Sequence, residues 1–301
     1  MIVHLNQTDC PPKRVVCLGA HGFIGAKFVE FIKSQGIDCI GFGYPELDLT
    51  KPESVDLLVR EIRSDDSVIM FSALTPDKGK GYRIFFQNMK MIEHVAHVVE
   101  KTSLAHFTYM STDAIYAEGD DVLHEKSPCD PADFYALMHY SREKMIQGFM
   151  QQLNKPLVIL RMCAVFGIGD THGAYGPNRF VKTAVLEKKI KLFGEGEEIR
   201  DHLWVEDAIQ WIASAVQKKS SGICNLVSGQ GRSFLEVAQI IQRLCPHEVA
   251  LEKLPRQIPI IHKRYEDRVV RTAFLERAPT SFEKVIHSMI QFELEQTKRN
   301  Q

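Results

Sequence analysis

Three glycines near the start of the chain have the spacing of a phosphate-binding turn. They follow a predicted strand, Arg14 to Leu18, and lead into a helical pattern. Glycines permit a tight turn and a close backbone approach, and a helix N-terminus offers free N–H groups to a pyrophosphate. The order of strand, glycine turn and helix therefore predicts a dinucleotide-binding loop. Its predicted contacts are Gly19, Gly22, Phe23, Ile24 and Gly25.

A second group of residues could transfer a proton. Tyr135 and His139 are four positions apart in a helical pattern, so they share a face of the helix, and both types serve as acids or bases. Tyr140 and Lys144 have the same spacing. Positions five apart are rotated by about 140°, so Tyr135 and Tyr140 cannot both face one site.

Together these two segments resemble the extended short-chain dehydrogenase/reductase family, which includes nucleotide-sugar epimerases, dehydratases and reductases. The resemblance extends from about Arg14 to about Gln291, nearly the whole chain. The family pattern Pro-x-Ser-x-Tyr-x-x-x-Lys-x-x-x-Glu matches Pro131 and Glu143 when its tyrosine is Tyr135. Pairing Tyr140 with Lys144 misaligns both, so we favour Tyr135.

The family lysine is replaced by His139 in this register. In the family that lysine holds the nicotinamide ribose, and its charge helps the tyrosine to ionise. A histidine has a reference pKa of about 6.5 and is mostly neutral at neutral pH. We therefore expect Tyr135 to be a poorer base, while His139 can still donate to the ribose hydroxyls.

Sugar chemistry is implied by the segment Tyr109-Met-Ser-Thr-Asp-Ala-Ile-Tyr116. It resembles the family strand end whose hydroxyl holds the substrate oxygen, here Thr112. Asp113 is at best an auxiliary acid, and Ala114 stands where the family's 4,6-dehydratases have glutamate. Dehydration is therefore not expected. The resemblance leaves hydride removal and return, as in a 4-epimerase, or delivery to a keto-sugar, as in a 4-reductase.

Further cofactor contacts are implied by the same resemblance. Asp48-Leu49 corresponds to the pair that meets the adenine, and Phe71-Ser-Ala-Leu74 to the strand end that covers the cofactor. The place of the family's ribose-binding acid falls near Gly43 and Tyr44, where neither an acidic nor a basic residue stands. NAD is slightly favoured and NADP stays open. The additional predicted contacts are Asp48, Leu49, Ser72, Ala73, Leu74, Asn88 and Val165.

Downstream segments imply a nucleotide-diphosphate sugar as substrate. Arg161-x-x-x-Val165-Phe-Gly167 and Leu192-Phe-Gly-Glu-Gly-Glu-Glu-Ile-Arg200 resemble family segments, the second a nucleotide clamp. An arginine fork suits two phosphate oxygens. By this resemblance the substrate contacts are Asn178, Arg179, Phe193, Arg200 and Arg268.

The elements that must position these residues alternate between strand and helix, which indicates a parallel sheet. We predict an α/β fold, a doubly wound parallel Rossmann sheet with six strand units and a smaller, mostly helical C-terminal lobe. The dinucleotide-binding domain covers residues 13–161 and about 201–230. The substrate-binding lobe covers residues 162–200 and 231–301.

Composition narrows the classes of function. With 37 basic and 38 acidic residues among 301, the chain has no overall field to attract nucleic acid or lipid. No apolar run approaches the ~18 residues of a membrane span. The seven cysteines are scattered without metal-ligand spacing, so we expect reduced thiols, a cytoplasmic location and no metal.

The sequence also bears on the oligomeric state of the protein and on whether it is an enzyme. Predicted helices at 83–101 and 134–153 carry exposed-looking apolar positions, and the equivalent pair in the family forms a dimer, so a homodimer is expected. An enzyme is the leading hypothesis. The rival is a catalytically silent dinucleotide-binding module, which His139 favours.

Overall fold

A seven-stranded sheet forms the centre of the chain. The computed structural model describes residues 2–119, 121–170, 173, 175–274 and 278–299. Within them the strands are β1 (Val3–His4), β2 (Arg14–Leu18), β3 (Asp38–Phe42), β4 (Ser67–Met70), β5 (His106–Thr112), β6 (Val122–Leu123), β7 (Leu157–Met162), β8 (Ala164–Phe166), β9 (Lys189–Phe193), β10 (Ile199–Trp204), β11 (Ser220–Leu226), β12 (Gly231–Ser233), β13 (Ala250–Leu254) and β14 (Arg264–Tyr265). The helices are α1 (Phe23–Ser34), α2 (Glu53–Glu61), α3 (Tyr82–Thr102), α4 (Phe134–Gln152), α5 (Pro177–Glu187), α6 (Val205–Gln217), α7 (Phe234–Leu244), α8 (Arg268–Ala273) and α9 (Phe282–Arg299).

The order of strands in the central sheet is β1-β11-β7-β5-β4-β2-β3. Six of these strands are parallel, which confirms the predicted doubly wound sheet. β1 was not predicted: it pairs antiparallel with β11 and places Val3 opposite Ser221 at the sheet edge. A two-residue strand carries too short a pattern to be recognised in the sequence.

Both faces of this sheet are covered by helices. Every residue of β2 is buried, and Val15 and Cys17 enter one hydrophobic cluster while Val16 and Leu18 enter another. The first cluster includes residues of α1 and α6, and the second includes residues of α2, α3 and α4. Successive side chains of a strand point to opposite faces, so strands covered on both sides read as continuous apolar runs.

A third hydrophobic cluster lies among α5, α7 and α9. Smaller sheets accompany it: β12-β10-β8, β13-β9 and β14-β6. These strands are short, and helix exceeds strand among the described residues of the predicted C-terminal lobe. In the described part of the chain, no helix combines the length and apolarity needed to cross a membrane.

Candidate active site

A cleft of about 380 Å³ lies where several strands of the central sheet end, the usual place of ligand sites in such sheets. The whole predicted glycine loop lines it. Thr112, Tyr135 and His139 line the same cleft, although they come from two different elements, β5 and α4. The structure therefore brings the predicted phosphate loop and the predicted proton-transfer residues together.

The glycine loop has the shape that a pyrophosphate requires. Gly19 has a φ of +96°, and a Cβ on Gly25 would lie 2.1 Å from the carbonyl oxygen of Gly19. A Cβ on Gly22, in contrast, would come no closer than 3.5 Å to that oxygen. Gly22 begins α1 without a side-chain cap. The space beside Gly22 and the start of α1 therefore fit a phosphate group.

Tyr135 is held at the mouth of this cleft by the first turn of α4. Asp133 caps the helix by accepting a hydrogen bond of 2.8 Å from the N–H of Ala136. Burial raises the pKa of the Tyr135 phenol to about 12, and a hydrogen bond with Thr112 lowers that pKa by a smaller amount. The phenol is therefore protonated at neutral pH, with the Thr112 hydroxyl beside it.

His139 lies one turn further along α4, with its ring edge-to-face to Tyr135 at a centroid distance of 4.8 Å. Its Nδ1 is 2.9 Å from the hydroxyl of Tyr109. Its Nε2 is buried and has no hydrogen-bond partner among the described residues. Burial, with a contribution from Arg142, lowers the pKa of His139 to about 3, so the ring is neutral. A ligand hydroxyl in the cleft would satisfy Nε2.

The alternative pair, Tyr140 and Lys144, lies outside the cleft lining. Tyr140 packs against the cluster that contains α1 and α6, with the Lys144 ammonium 5.1 Å from its ring centroid. Glu143, the other end of the favoured register, accepts two hydrogen bonds from Arg161. The geometry thus places Tyr135, and not Tyr140, in the cleft.

Several predicted cofactor residues line this cleft and several do not. Ala73 and Val165 border it, whereas Ser72 and Leu74 stand outside its lining. Asp48 and Leu49 are also outside it, and the Asp48 carboxylate accepts hydrogen bonds of 3.0 and 2.6 Å from Thr50.

Asn88 occupies a different position from the direct cofactor contact that was predicted. Its amide oxygen accepts from the N–H of Leu74 and from Arg142, and its nitrogen donates to the carbonyl oxygens of Leu74 and Ile84. These bonds use the full capacity of the side chain. Asn88 therefore supports the backbone at Leu74. A resemblance at one residue could not distinguish this supporting role from a direct contact with a ligand.

Asp113 lies beside Thr112, whose hydroxyl is 3.4 Å from its carboxylate. Its carboxylate accepts a hydrogen bond from the hydroxyl of Tyr265, and Lys263 donates to its backbone carbonyl oxygen at 2.7 Å. It does not line the cleft. Tyr265 and Lys263 are partners that the local sequence does not show, and the role of Asp113 as an auxiliary acid stays a prediction.

The predicted substrate residues do not converge on one pocket. Asn178 accepts a hydrogen bond of 3.1 Å from the N–H of Gly167 and donates to Asp170, which borders the cleft. Arg179 and Phe193 line a separate pocket.

Arg200 and Arg268 are held by neighbouring acids. The Arg200 guanidinium is 2.5 Å from Glu198, and the same carboxylate is 2.7 Å from Arg256. Arg268 is 81% exposed and 3.6 Å from Glu266. Neither arginine lines the cleft.

Residues that line the cleft or lie behind it were missed in the sequence, among them Ser111, Tyr109 and Arg142. Ser111 lines the cleft with a buried hydroxyl that has no hydrogen-bond partner among the described residues. Tyr109 and Arg142 lie behind His139, and Arg142 is completely buried. Arg142 follows His139 by three positions on α4, so a charged residue on a buried helix face was the available signal.

The fold and this cleft define a dinucleotide-binding protein of the Rossmann type. The chain belongs to the NAD dependent epimerase/dehydratase family, whose model matches residues 15–226.

The match to curated relatives covers only part of the length of each of them. The uncharacterized UDP-glucose epimerase YtcB of Bacillus subtilis is 22% identical over 166 residues, which are 54% of this chain and 52% of that protein. The dTDP-glucose 4,6-dehydratase of Haemophilus influenzae is 25% identical over 226 residues, 72% of this chain and 63% of that protein. The chain thus spans between half and two thirds of the length of these relatives.

Solved structures share the fold over almost their entire length. The UDP-N-acetylglucosamine 4-epimerase of Methanobrevibacter ruminantium has a TM-score of 0.83 at 18% identity, with 95% of this chain and 99% of that chain covered. The UDP-glucose 4-epimerase of Thermus thermophilus, in complex with NAD, has a TM-score of 0.78 at 20% identity, with coverages of 93% and 98%. At these identities the likeness concerns the fold.

Proposed function

We propose that the protein transfers hydride at one carbon of a nucleotide-diphosphate sugar, as a 4-keto-sugar reductase or a 4-epimerase. The observation that carries this proposal is the single cleft shared by the glycine loop, Thr112, Tyr135 and His139. A bound nicotinamide dinucleotide would supply or accept the hydride. Ala114, in the place of the dehydratases' glutamate, argues against water loss.

The chain's own residues divide the remaining work. Thr112 holds the sugar oxygen, and Tyr135 moves the proton to or from it. His139 donates to a ribose hydroxyl of the cofactor through Nε2. With its pKa raised to about 12 by burial, the Tyr135 phenol carries its proton at neutral pH, which is the form that reduction of a keto-sugar needs. Of the two reactions, reduction is therefore favoured.

The cofactor we propose is NAD, with the pyrophosphate at the glycine loop. Ala73 and Val165 border its cleft directly, whereas Asp48, Leu49, Ser72 and Leu74 would contact it only at its edges. Near the end of β3, the carboxylate of Glu46 lies 3.4 Å from Nδ1 of His21. A carboxylate there repels a 2′-phosphate and so favours NAD over NADP.

The substrate-binding lobe is proposed to comprise residues 162–200 and 231–301, and residues 13–161 with about 201–230 the cofactor domain. The pocket beside Arg179 and Phe193 suits an aromatic base next to a phosphate. The Arg200 guanidinium could reach a diphosphate only by leaving Glu198. Asn178 and the exposed Arg268 complete the proposed set.

A homodimer is the proposed assembly. Tyr82 and Phe86 on α3, with Phe134 and Leu137 on α4, are large apolar side chains that stay exposed. Substituting Phe86→Asp should therefore convert a dimer to a monomer in sedimentation analysis, whereas a monomeric unsubstituted protein would contradict the proposal. All seven cysteines are free thiols, which fits a reducing, cytoplasmic location.

A silent dinucleotide-binding module is the second candidate. It is favoured by one observation: the position of the family lysine holds a neutral imidazole, and the phenol beside it keeps its proton. Such a module would bind dinucleotide without turnover.

One experiment separates the two candidates. The protein is screened by thermal shift against NAD, NADP and a panel of nucleotide sugars and nucleotide 4-keto-sugars. It is then assayed for oxidation of the reduced cofactor by the keto-sugars and for conversion of each nucleotide sugar to its 4-epimer. The enzyme proposal expects turnover that Tyr135→Phe abolishes and that Tyr140→Phe, a matched tyrosine outside the cleft, retains. Dinucleotide binding without turnover on any sugar establishes the module, and no dinucleotide binding rejects both.

A further inference from the structure

A buried cation without a carboxylate lies behind the cleft. Arg142 is 0% exposed, and its guanidinium donates to the carbonyl oxygens of Ser72 and Asn88 and to the amide oxygen of Asn88. Among the described residues it forms no ion pair, since the adjacent Glu143 is bound to Arg161. Neutral acceptors satisfy its hydrogen bonds and leave its positive charge uncompensated.

This cation is joined to the cleft through two rings. The charge of Arg142 lies beside the hydroxyl of Tyr109, and that hydroxyl is 2.9 Å from Nδ1 of His139. Tyr109 and His139 are 1% and 4% exposed, so water does not compete for this contact. The next polar atom in the series is Nε2 of His139, which has no partner among the described residues and belongs to a residue that lines the cleft.

The direction of the hydrogen bond between Tyr109 and His139 follows from what each group can do. A phenol hydroxyl carries one proton, and a buried donor needs an acceptor. The Tyr109 proton is then donated to the acceptor within its reach in the described chain, Nδ1 of His139. A neutral imidazole that accepts at Nδ1 carries its proton at Nε2. The N–H of His139 is thereby left to a ligand in the cleft.

We propose that Tyr109 and Arg142 are positioning residues that hold His139 as the Nε2–H tautomer, a fixed donor to a ribose hydroxyl of the bound dinucleotide. The donation to ribose rests on the proposed function, whereas the tautomer does not. Arg142 also keeps, one turn behind the cleft, the positive charge that His139 itself lacks. One lysine would combine the positive charge and the hydrogen-bond donor. Here Arg142 supplies the charge and His139 supplies the donor.

The tautomer can be measured in the full chain without ligand or activity. Long-range ¹H–¹⁵N correlation at neutral pH distinguishes a bare ring nitrogen from a protonated one, and the His139 signals are assigned by their loss in His139→Gln. The proposal expects a bare Nδ1 and a protonated Nε2. The opposite tautomer, or an equal mixture, in the unsubstituted protein overturns it.

Tyr109→Phe tests the link, because it removes one hydroxyl and keeps the ring. The matched control is Tyr116→Phe. The buried hydroxyl of Tyr116 accepts a hydrogen bond from Arg161 and donates one to Asn225, away from His139. Tyr109→Phe should mix the His139 tautomers, and Tyr116→Phe should leave them unchanged. Unchanged tautomers in Tyr109→Phe overturn the proposal.

Binding isolates the ribose contact. Calorimetry compares NAD, or NADP if it binds more tightly, with ADP, which reaches the glycine loop but has no nicotinamide ribose. Tyr109→Phe should weaken the dinucleotide about tenfold and leave ADP unchanged, and in a His139→Ala background it should have no effect. Equal weakening of both ligands contradicts the ribose contact. If neither NAD nor NADP binds the unsubstituted protein, the proposed function and the ribose contact are both refuted. The tautomer result still stands in that case.

Discussion

Glu143 of α4 accepts two hydrogen bonds from the guanidinium of Arg161 on β7, at 3.0 and 2.7 Å. The two side chains are 0% and 3% exposed. This pair joins the helix that carries Tyr135 to the sheet that carries the cleft, so it sets the depth at which the phenol lies.

Removing one member of this buried pair should destabilise the protein strongly. We expect Glu143→Ala to lower the free energy of unfolding by about 3–5 kcal/mol, because Arg161 is left buried and unpaired. Urea denaturation at pH 7 measures this. The control is Glu283→Ala, which breaks an exposed pair with Arg243 and should cost less than about 1 kcal/mol. Similar costs for both variants would show that the buried pair has no special weight.

Substituting His139→Lys should make Tyr135 a better base. A nearby ammonium stabilises the phenolate and so lowers the pKa of Tyr135. The limb of the pH–rate profile that reports this phenol should therefore move to lower pH by about one to three units. The buried Arg142 repels the new charge, so we also expect lower stability. Steady-state rates across pH provide the measurement, and Tyr135→Phe should have no such limb. An unmoved profile means that residue 139 does not control the phenol.

Alanine substitution should separate packing from ligand space in the glycine loop. Gly25→Ala places a Cβ 2.1 Å from the Gly19 carbonyl oxygen and should destabilise the fold itself. Gly22→Ala meets nothing closer than 3.5 Å, so its cost should stay near about 1 kcal/mol while dinucleotide affinity falls at least about tenfold. Thermal melts and calorimetry measure the two effects. Unchanged dinucleotide affinity in folded Gly22→Ala protein would show that the phosphate does not bind at this loop.

Acid should destabilise the protein through its buried histidines. Burial lowers the pKa of His106 to about 4 and of His202 to about 3, below the ordinary histidine value of 6.5. The unfolded chain then binds more protons than the folded one, so stability is full above about pH 6.5 and falls toward pH 4, by up to about 1.4 kcal/mol per pH unit for each histidine.

Urea titrations at several pH values measure this slope. His106→Asn removes one buried titrating group and should flatten the slope between pH 6.5 and pH 4. His287→Asn, at an exposed position, should leave it as it is. A slope that His106→Asn does not change would assign the acid sensitivity to other groups.

Much of the cofactor half of the molecule could be predicted from the sequence because its signals are local. The strand, glycine turn and helix around Gly22 occupy consecutive residues, and Tyr135 and His139 are one helical turn apart. Such patterns depend on periodicity and backbone conformation within a few residues. Continuous apolar strands likewise indicated a sheet covered on both faces.

The rest depended on which distant groups compete for each side chain. Nothing beside Asp113 in the sequence shows that Tyr265 would bind its carboxylate. Nothing beside Glu198 shows that Arg256, 58 positions away, would share its carboxylate with Arg200. A charged group takes whichever partner packing brings within reach, and this is a property of the folded chain.

The sequence by itself determined the class of fold, and it predicted a phosphate loop and a histidine, His139, in the place of the family lysine. Only the tertiary structure decided what that histidine does, because its proton position depends on Tyr109, thirty residues away on β5, and on the buried charge of Arg142. Local order follows from short-range periodicity. The state of a buried polar group follows from its hydrogen-bond partners, which are chosen when the elements pack.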